Sequence, residues 1–140
     1  MKVGLLLLTH NGIGTQLLLA AKAVFGNIPS RVETLPVDHY DQPADVINLA
    51  KQYVKVLNEG KGVLILTDMF GSTPSNIASE FSKEKNVRVV SGINLSMLLN
   101  VFNYPTLSLN ALTKKALDGG RQGIVNIEIT DERKKFKNNK

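Results

Sequence analysis

Between Lys2 and Thr9 the chain reads Val-Gly-Leu-Leu-Leu-Leu, and between Gly62 and Thr67 it reads Val-Leu-Ile-Leu, without one polar side chain in either run. A strand with one wet face alternates apolar and polar residues, so unbroken runs of this kind read as strands covered on both faces. Covering both faces requires a layer of helices above the sheet and another below it. These two runs therefore restrict the chain to α/β architecture with a mainly parallel sheet.

The rest of the sequence supplies the layers. Strands are predicted over residues 3–8, 31–37, 62–67 and 87–91, with helices over 14–25, 44–57, about 73–81, 94–102 and 106–119. Leu17, Leu18, Ala21, Val24 and Phe25 repeat at helical spacing, and Gly26-Asn27 stops that helix. Val46, Ile47, Ala50, Tyr53, Val54 and Leu57 form one face of the second helix. Thr73-Pro74 is read as an N-cap followed by the first helical residue of the third. Residues 123–129 finish with a β-prone alternation after Gly119, Gly120 and Gly123, which are read as loosening the connection. Strands joined through helices make right-handed crossovers, and a chain of this length suits the flavodoxin-like order 2-1-3-4. A single domain over 1–130 is expected, followed by a basic, disordered tail over 131–140.

Composition excludes several classes of function. The 140 residues contain no cysteine, so there is no thiolate nucleophile and no Cys-based metal site. The segment 1–8 is too short for a signal peptide core, nothing reaches transmembrane length, and a cytoplasmic protein without membrane insertion is expected. The net charge is +5, but residues 131–140 carry +3 of it, and the body has no Trp. A short basic end is a poor nucleic-acid arm without a basic, aromatic stripe beside it, so no nucleic-acid partner is expected.

Chemistry concentrates at two strand ends. The first apolar run leads into Thr9-His10-Asn11-Gly12-Ile13-Gly14, and the second into Asp68-Met69-Phe70-Gly71-Ser72-Thr73-Pro74. In the order 2-1-3-4 strands 1 and 3 are neighbours whose connections leave toward opposite faces, and the crevice between their C-terminal ends is where such sheets bind ligands. The topology brings His10 and Asp68 together there. Imidazole can act as a base, a metal ligand or a nucleophile near neutral pH. The metal role lacks partners, since His39 is the only other histidine and no paired spacing exists. The base role lacks the Gly-x-Ser-x-Gly elbow of serine hydrolases around Ser72.

The nucleophile role fits better. Gly12 and Gly14 permit close backbone approach, two helix N-termini would point N–H groups into the crevice, and Thr9, Ser72 and Thr73 add hydroxyls. Neither loop contains Lys or Arg, which suits a phosphoryl group that arrives, stays briefly and leaves. Taken singly, His10 and Asp68 read equally as turn and cap residues, and His39 as a solvated loop residue. Their coincidence at adjacent strand ends favours chemistry.

With Ser91-Gly92-Ile93-Asn94-Leu95-Ser96-Met97-Leu98 after the fourth strand, these motifs stand in an order and spacing that resemble the IIA domain of the mannose-family bacterial phosphotransferase system. The likeness runs from Met1 to about Ile129. It implies a phosphotransferase without a cofactor, which takes phosphate from the phosphohistidine of HPr onto His10 and passes it to a separate IIB protein. Asp68 falls on the family's aspartate that orients the active histidine. The candidate phosphate contacts are Thr9, Gly12, Gly71, Ser72 and Thr73. The resemblance also implies a homodimer that exchanges the last strand, about 123–129, as an antiparallel edge.

Three stretches depart from the family: Asn11 stands for Gly after the histidine, Gly71-Ser72-Thr73-Pro74 for Gly-Gly-Ser-Pro, and Gly92-Ile93-Asn94-Leu95-Ser96 for Gly-Val-Asn-Ile-Pro. The hydroxyl donor survives at Thr73. Two alternatives share the same chemistry: a sensor whose phosphorylation state regulates a partner, and the phosphotransfer subunit of dihydroxyacetone kinase.

Overall fold

A computed structural model describes residues 1–128. The chain alternates β1 (Gly4–His10), α1 (Ile13–Phe25), β2 (Val32–Val37), α2 (Pro43–Leu57), β3 (Val63–Thr67), α3 (Thr73–Ser79), β4 (Val87–Ser91), α4 (Leu95–Phe102) and α5 (Leu109–Gln122). The four strands form one parallel sheet in the order β2-β1-β3-β4. This is the three-layer architecture and strand order expected.

The apolar runs divide by the two-residue period of a strand. Leu5, Leu7, Leu64, Leu66 and Val90 meet α1, α4 and α5 on one face. Leu6, Leu8, Val63, Ile65 and Val87 meet α2 and α3 on the other. Leu5 to Leu8 have no solvent exposure. Each such leucine contributes about 1.5–3 kcal/mol of burial free energy, so β1 and β3 are the most firmly held parts of the sheet. Because α1 follows β1 to one face and α3 follows β3 to the other, the chain divides between these strands, and a crevice opens at their C-terminal ends.

Several boundaries differ from the sequence expectation. β1 runs past Leu8, because Thr9 and His10 still pair with Pro36 and Val37 of β2. Ser72, not Thr73, is the N-cap of α3, and Thr73 is its first residue. Gly119 and Gly120 do not loosen a connection but lie buried inside α5. A Cβ on Gly119 would sit 2.5 Å from Asn100 Cβ, and one on Gly120 2.8 Å from Met97 Cε, so bare backbone lets α5 settle on α4.

The expected C-terminal strand is not formed over 124–128. Residues 124–127 join no strand of the described sheet. Ile124, Val125 and Ile127 are 80%, 68% and 81% exposed. Ile129 and the tail over 131–140 lie outside the described residues.

Gly62 separates backbone strain from crowding. Its φ is +87°, and an added Cβ would lie 2.5 Å from the Asn86 carbonyl oxygen. Gly12 has the same φ of +87° but nothing within 4 Å of a Cβ. Gly62→Ala is expected to destabilise the fold by about 2–4 kcal/mol, left-handed strain plus overpacking. Gly12→Ala should cost only the strain of about 1–2 kcal/mol. Urea unfolding midpoints of the two variants check the difference.

Candidate functional site

His10 is the last residue of β1, and its backbone is fixed from two sides. It pairs with Val37 of β2, and its own N–H donates to Asp68 Oδ2 at 3.1 Å. Asp68 follows directly on β3. The same Oδ2 lies 2.6 Å from His10 Nδ1. A carboxylate can only accept, so the proton of this bond sits on Nδ1 and Nε2 keeps its lone pair. The two residues expected to meet across the sheet do meet, and one oxygen holds both donors.

Their exposures differ. The His10 side chain is 46% exposed and that of Asp68 only 10%. Burial pushes the Asp68 carboxyl up, but the hydrogen bond from the His10 ring opposes it. Bonds from the backbone N–H groups of His10 and of Asp68 itself, with attraction to the imidazole, add to that, and the carboxyl lies below its ordinary value of 3.8. Asp68 is therefore an anion at neutral pH, sheltered beneath a ring that solvent can reach.

The remaining candidates separate into those that face the crevice and those that build it. Thr9 is 1% exposed; its hydroxyl accepts from Gly14 N–H at 2.9 Å and donates to the His10 carbonyl at 2.8 Å. That contact occupies one of the α1 N-terminal N–H groups expected to point at the crevice. Ser72 is 8% exposed, and its hydroxyl donates to the Met69 carbonyl at 2.6 Å, closing the turn after Asp68. Gly12 and Gly71 take φ values of +87° and +85° with open space around them, so each is glycine for its backbone angle. Thr73 is exposed and lines a cleft of about 510 Å³ with His10.

The same cleft is lined by Asn11, Asp38, His39 and Asp41. None of its lining residues is Lys or Arg. Nothing local in the sequence marks the 38–42 loop as part of the cleft, yet the strand pairing implies its place. Because β2 pairs with β1 in parallel, the loop leaving β2 must emerge beside His10. His39 is exposed, as expected, but it stands in the crevice and not apart from it.

An imidazole held through Nδ1 by an ionised carboxylate, with Nε2 unbonded in its neutral form, is an arrangement that can act as a nucleophile. Known proteins can be set beside this geometry. The mannose-specific EIIAB component of the PTS system from Escherichia coli (strain K12) is 28% identical over 131 residues, 89% of this chain and 39% of that protein. The transcriptional regulatory protein LevR of Bacillus subtilis (strain 168) is 25% identical over 115 residues, 79% of this chain. The chain spans only 12% of the length of LevR. In fold it superposes on the mannose/sorbose specific IIA subunit of the phosphotransferase system from Enterococcus faecalis with a TM-score of 0.82. That pair is 22% identical, covering 94% of this chain and 98% of the other. The family model EIIA-man, described as the PTS system fructose IIA component, matches residues 4–117, and the chain belongs to that family of IIA components.

Proposed function

We propose that this protein is a phosphohistidine carrier, loaded on His10 by an HPr-type phosphocarrier and unloaded by a IIB protein of a sugar phosphotransferase system. The observation that carries the reading is the 2.6 Å contact between His10 Nδ1 and Asp68 Oδ2, which leaves Nε2 as the attacking atom. The Nε2 lone pair forms a bond to phosphorus as the donor's phosphorus–nitrogen bond breaks, and the departing imidazole takes that pair back. His10 keeps its proton on Nδ1, so its ring becomes positive when Nε2 is phosphorylated. Asp68 neutralises that charge, and attack by the next acceptor returns the ring to its neutral form.

Around the phosphoryl group, Gly12, Gly71, Thr73 and the Ser72 turn supply the neutral contacts. Thr9 acts from below by holding the loop. Among the described residues no helix is long and apolar enough to cross a membrane, which accords with work in the cytoplasm. The match to the regulator LevR favours a second use of the same chemistry, in which the phosphorylation state of His10 controls a partner.

Incubation with phosphoenolpyruvate, enzyme I and HPr tests the reading. One acid-labile, base-stable phosphate per chain is expected, on the peptide containing His10. Absence of that adduct, with HPr itself phosphorylated, would refute the carrier role.

A homodimer belongs to the same proposal. β4 is an edge of the sheet, and the β-branched residues Ile124, Val125 and Ile127, in the segment that follows α5, are exposed. Exchange of this segment between two copies would cover both edges. Sedimentation equilibrium at micromolar concentration is expected to give twice the 15.3 kDa monomer mass. A single species at the monomer mass excludes the exchange.

A further inference from the structure

We propose that His39 binds the phosphoryl group carried on His10, bringing to the cleft a positive charge that its other walls lack. The inference rests on the carrier reading of His10 and extends it to the loop after β2.

Placement is the first argument. Val37 is the register partner of His10, and the Asn11 N–H donates to the Val37 carbonyl at 3.0 Å, which ties the two loops together. Neighbouring strands lie about 4.8 Å apart, and His39 follows Val37 by two residues. Both histidines line one cleft of about 510 Å³.

The loop is also built to hold that position. Asp38 N–H donates to Asp41 Oδ2 at 2.7 Å, and Asp41 N–H donates to the Asp38 carbonyl at 3.1 Å. These bonds close the turn and direct the Asp41 carboxylate onto the loop's own backbone. Tyr40, which is 86% exposed, packs edge-on against the His39 ring with centroids 5.3 Å apart.

Charge is the second argument. A phosphoryl group on Nε2 carries up to two negative charges into a cleft that already holds Asp38 and Asp41, with Asp68 beneath His10. The walls contributed by α2 and α3 are Pro43, Thr73 and Pro74, which bring no charge. Apart from His10, His39 is the one lining residue that can become a cation. An imidazolium also suits a transient guest, because it can lose its charge near neutral pH as a fixed guanidinium cannot.

The test follows the His39 ring by NMR in uniformly 15N-labelled protein. With two histidines in the chain, His39→Gln assigns the signals. Phosphoramidate serves as a small phosphoryl donor, so the measurement is independent of HPr. Phosphorylation of His10 is expected to raise the His39 titration midpoint by about half a unit or more, the response of a cation to a new neighbouring anion. His39→Gln should slow loading about 5- to 10-fold near pH 6 and less near pH 8, where imidazole is mostly neutral. His39→Arg should restore loading at both.

An unmoved midpoint, or wild-type loading by His39→Gln at both pH values, overturns the proposal. So does phosphate found on His39 itself. If phosphoramidate loads His10 with the expected midpoint rise while phospho-HPr does not load it, the inference stands and the carrier reading fails.

Discussion

His10→Ala is expected to give a folded protein that takes up no phosphate from phospho-HPr, while His39→Ala remains loadable. The fold should survive because the lost side chain is half exposed and belongs to neither core cluster. The backbone bond from residue 10 to Asp68 Oδ2 remains available in the variant, so the buried carboxylate keeps one of its donors. The two buried hydroxyls beside His10 do not replace the nucleophile, and His39 is assigned to phosphate contact rather than acceptance. Thr9 and Ser72 are buried and commit their hydroxyl protons to backbone carbonyls, and a hydroxyl without an adjacent base is a weak nucleophile. Acid-labile label persisting in His10→Ala, or vanishing in His39→Ala, would contradict the assignment. Far-UV circular dichroism and the urea midpoint confirm that the loss is chemical.

Asp68→Asn is expected to slow phosphoryl transfer by about 10²- to 10⁴-fold with the sheet intact, the range seen when a histidine loses its orienting carboxylate. An amide can donate to Nδ1 and so stabilise the tautomer with its proton on Nε2, which blocks the attacking atom. It also carries no charge to neutralise the phosphorylated ring. A loss below about tenfold would mean that the contact is structural.

The same pair predicts a pH dependence with a definite sign. The carboxyl pKa is lowered in the folded state from its ordinary 3.8, so folding favours the ionised form. The stabilisation is fully present above the unfolded value and is lost as pH falls through the folded one. The Asp68 contribution to the stability difference between wild type and Asp68→Asn should therefore be lost as pH falls below about 3.8. Denaturant midpoints measured from pH 7 to pH 3 check it.

The sheet was readable because burial on both faces leaves an unmistakable trace, an apolar run with no alternation, at 3–8 and at 62–67. Once those runs sit side by side, the meeting of His10 with Asp68 follows from topology. What could not be read depended on contacts between residues distant in sequence. Thr9 and His10 look too polar to extend a strand, yet pairing with Pro36 and Val37 carries β1 through them. The Thr9 hydroxyl reads as a free donor, but the His10 carbonyl takes its proton while the start of α1 donates to its oxygen. Gly119 and Gly120 carry the local signature of a loose turn, and only the approach of Asn100 and Met97 shows why a helix there needs them bare. His39 reads as a solvated loop residue because local sequence does not say which crevice a loop overhangs.

His10 ends a strand whose preceding residues, Gly4 to Thr9, are all buried, with Leu5 to Thr9 laddered to β2 on one side and Gly4 to Leu7 laddered to β3 on the other. Fixing a backbone residue costs about 1–2 kcal/mol, and here that ordering is complete before any partner arrives. The ring cannot swing freely either, since its Nδ1 and its own main-chain N–H converge on one oxygen atom. High effective molarity in group transfer comes from reacting atoms that need no further alignment. On this sheet it is built in when the chain folds and is present again at every encounter, so the disorder removed at each collision belongs to the visitor, not to the histidine.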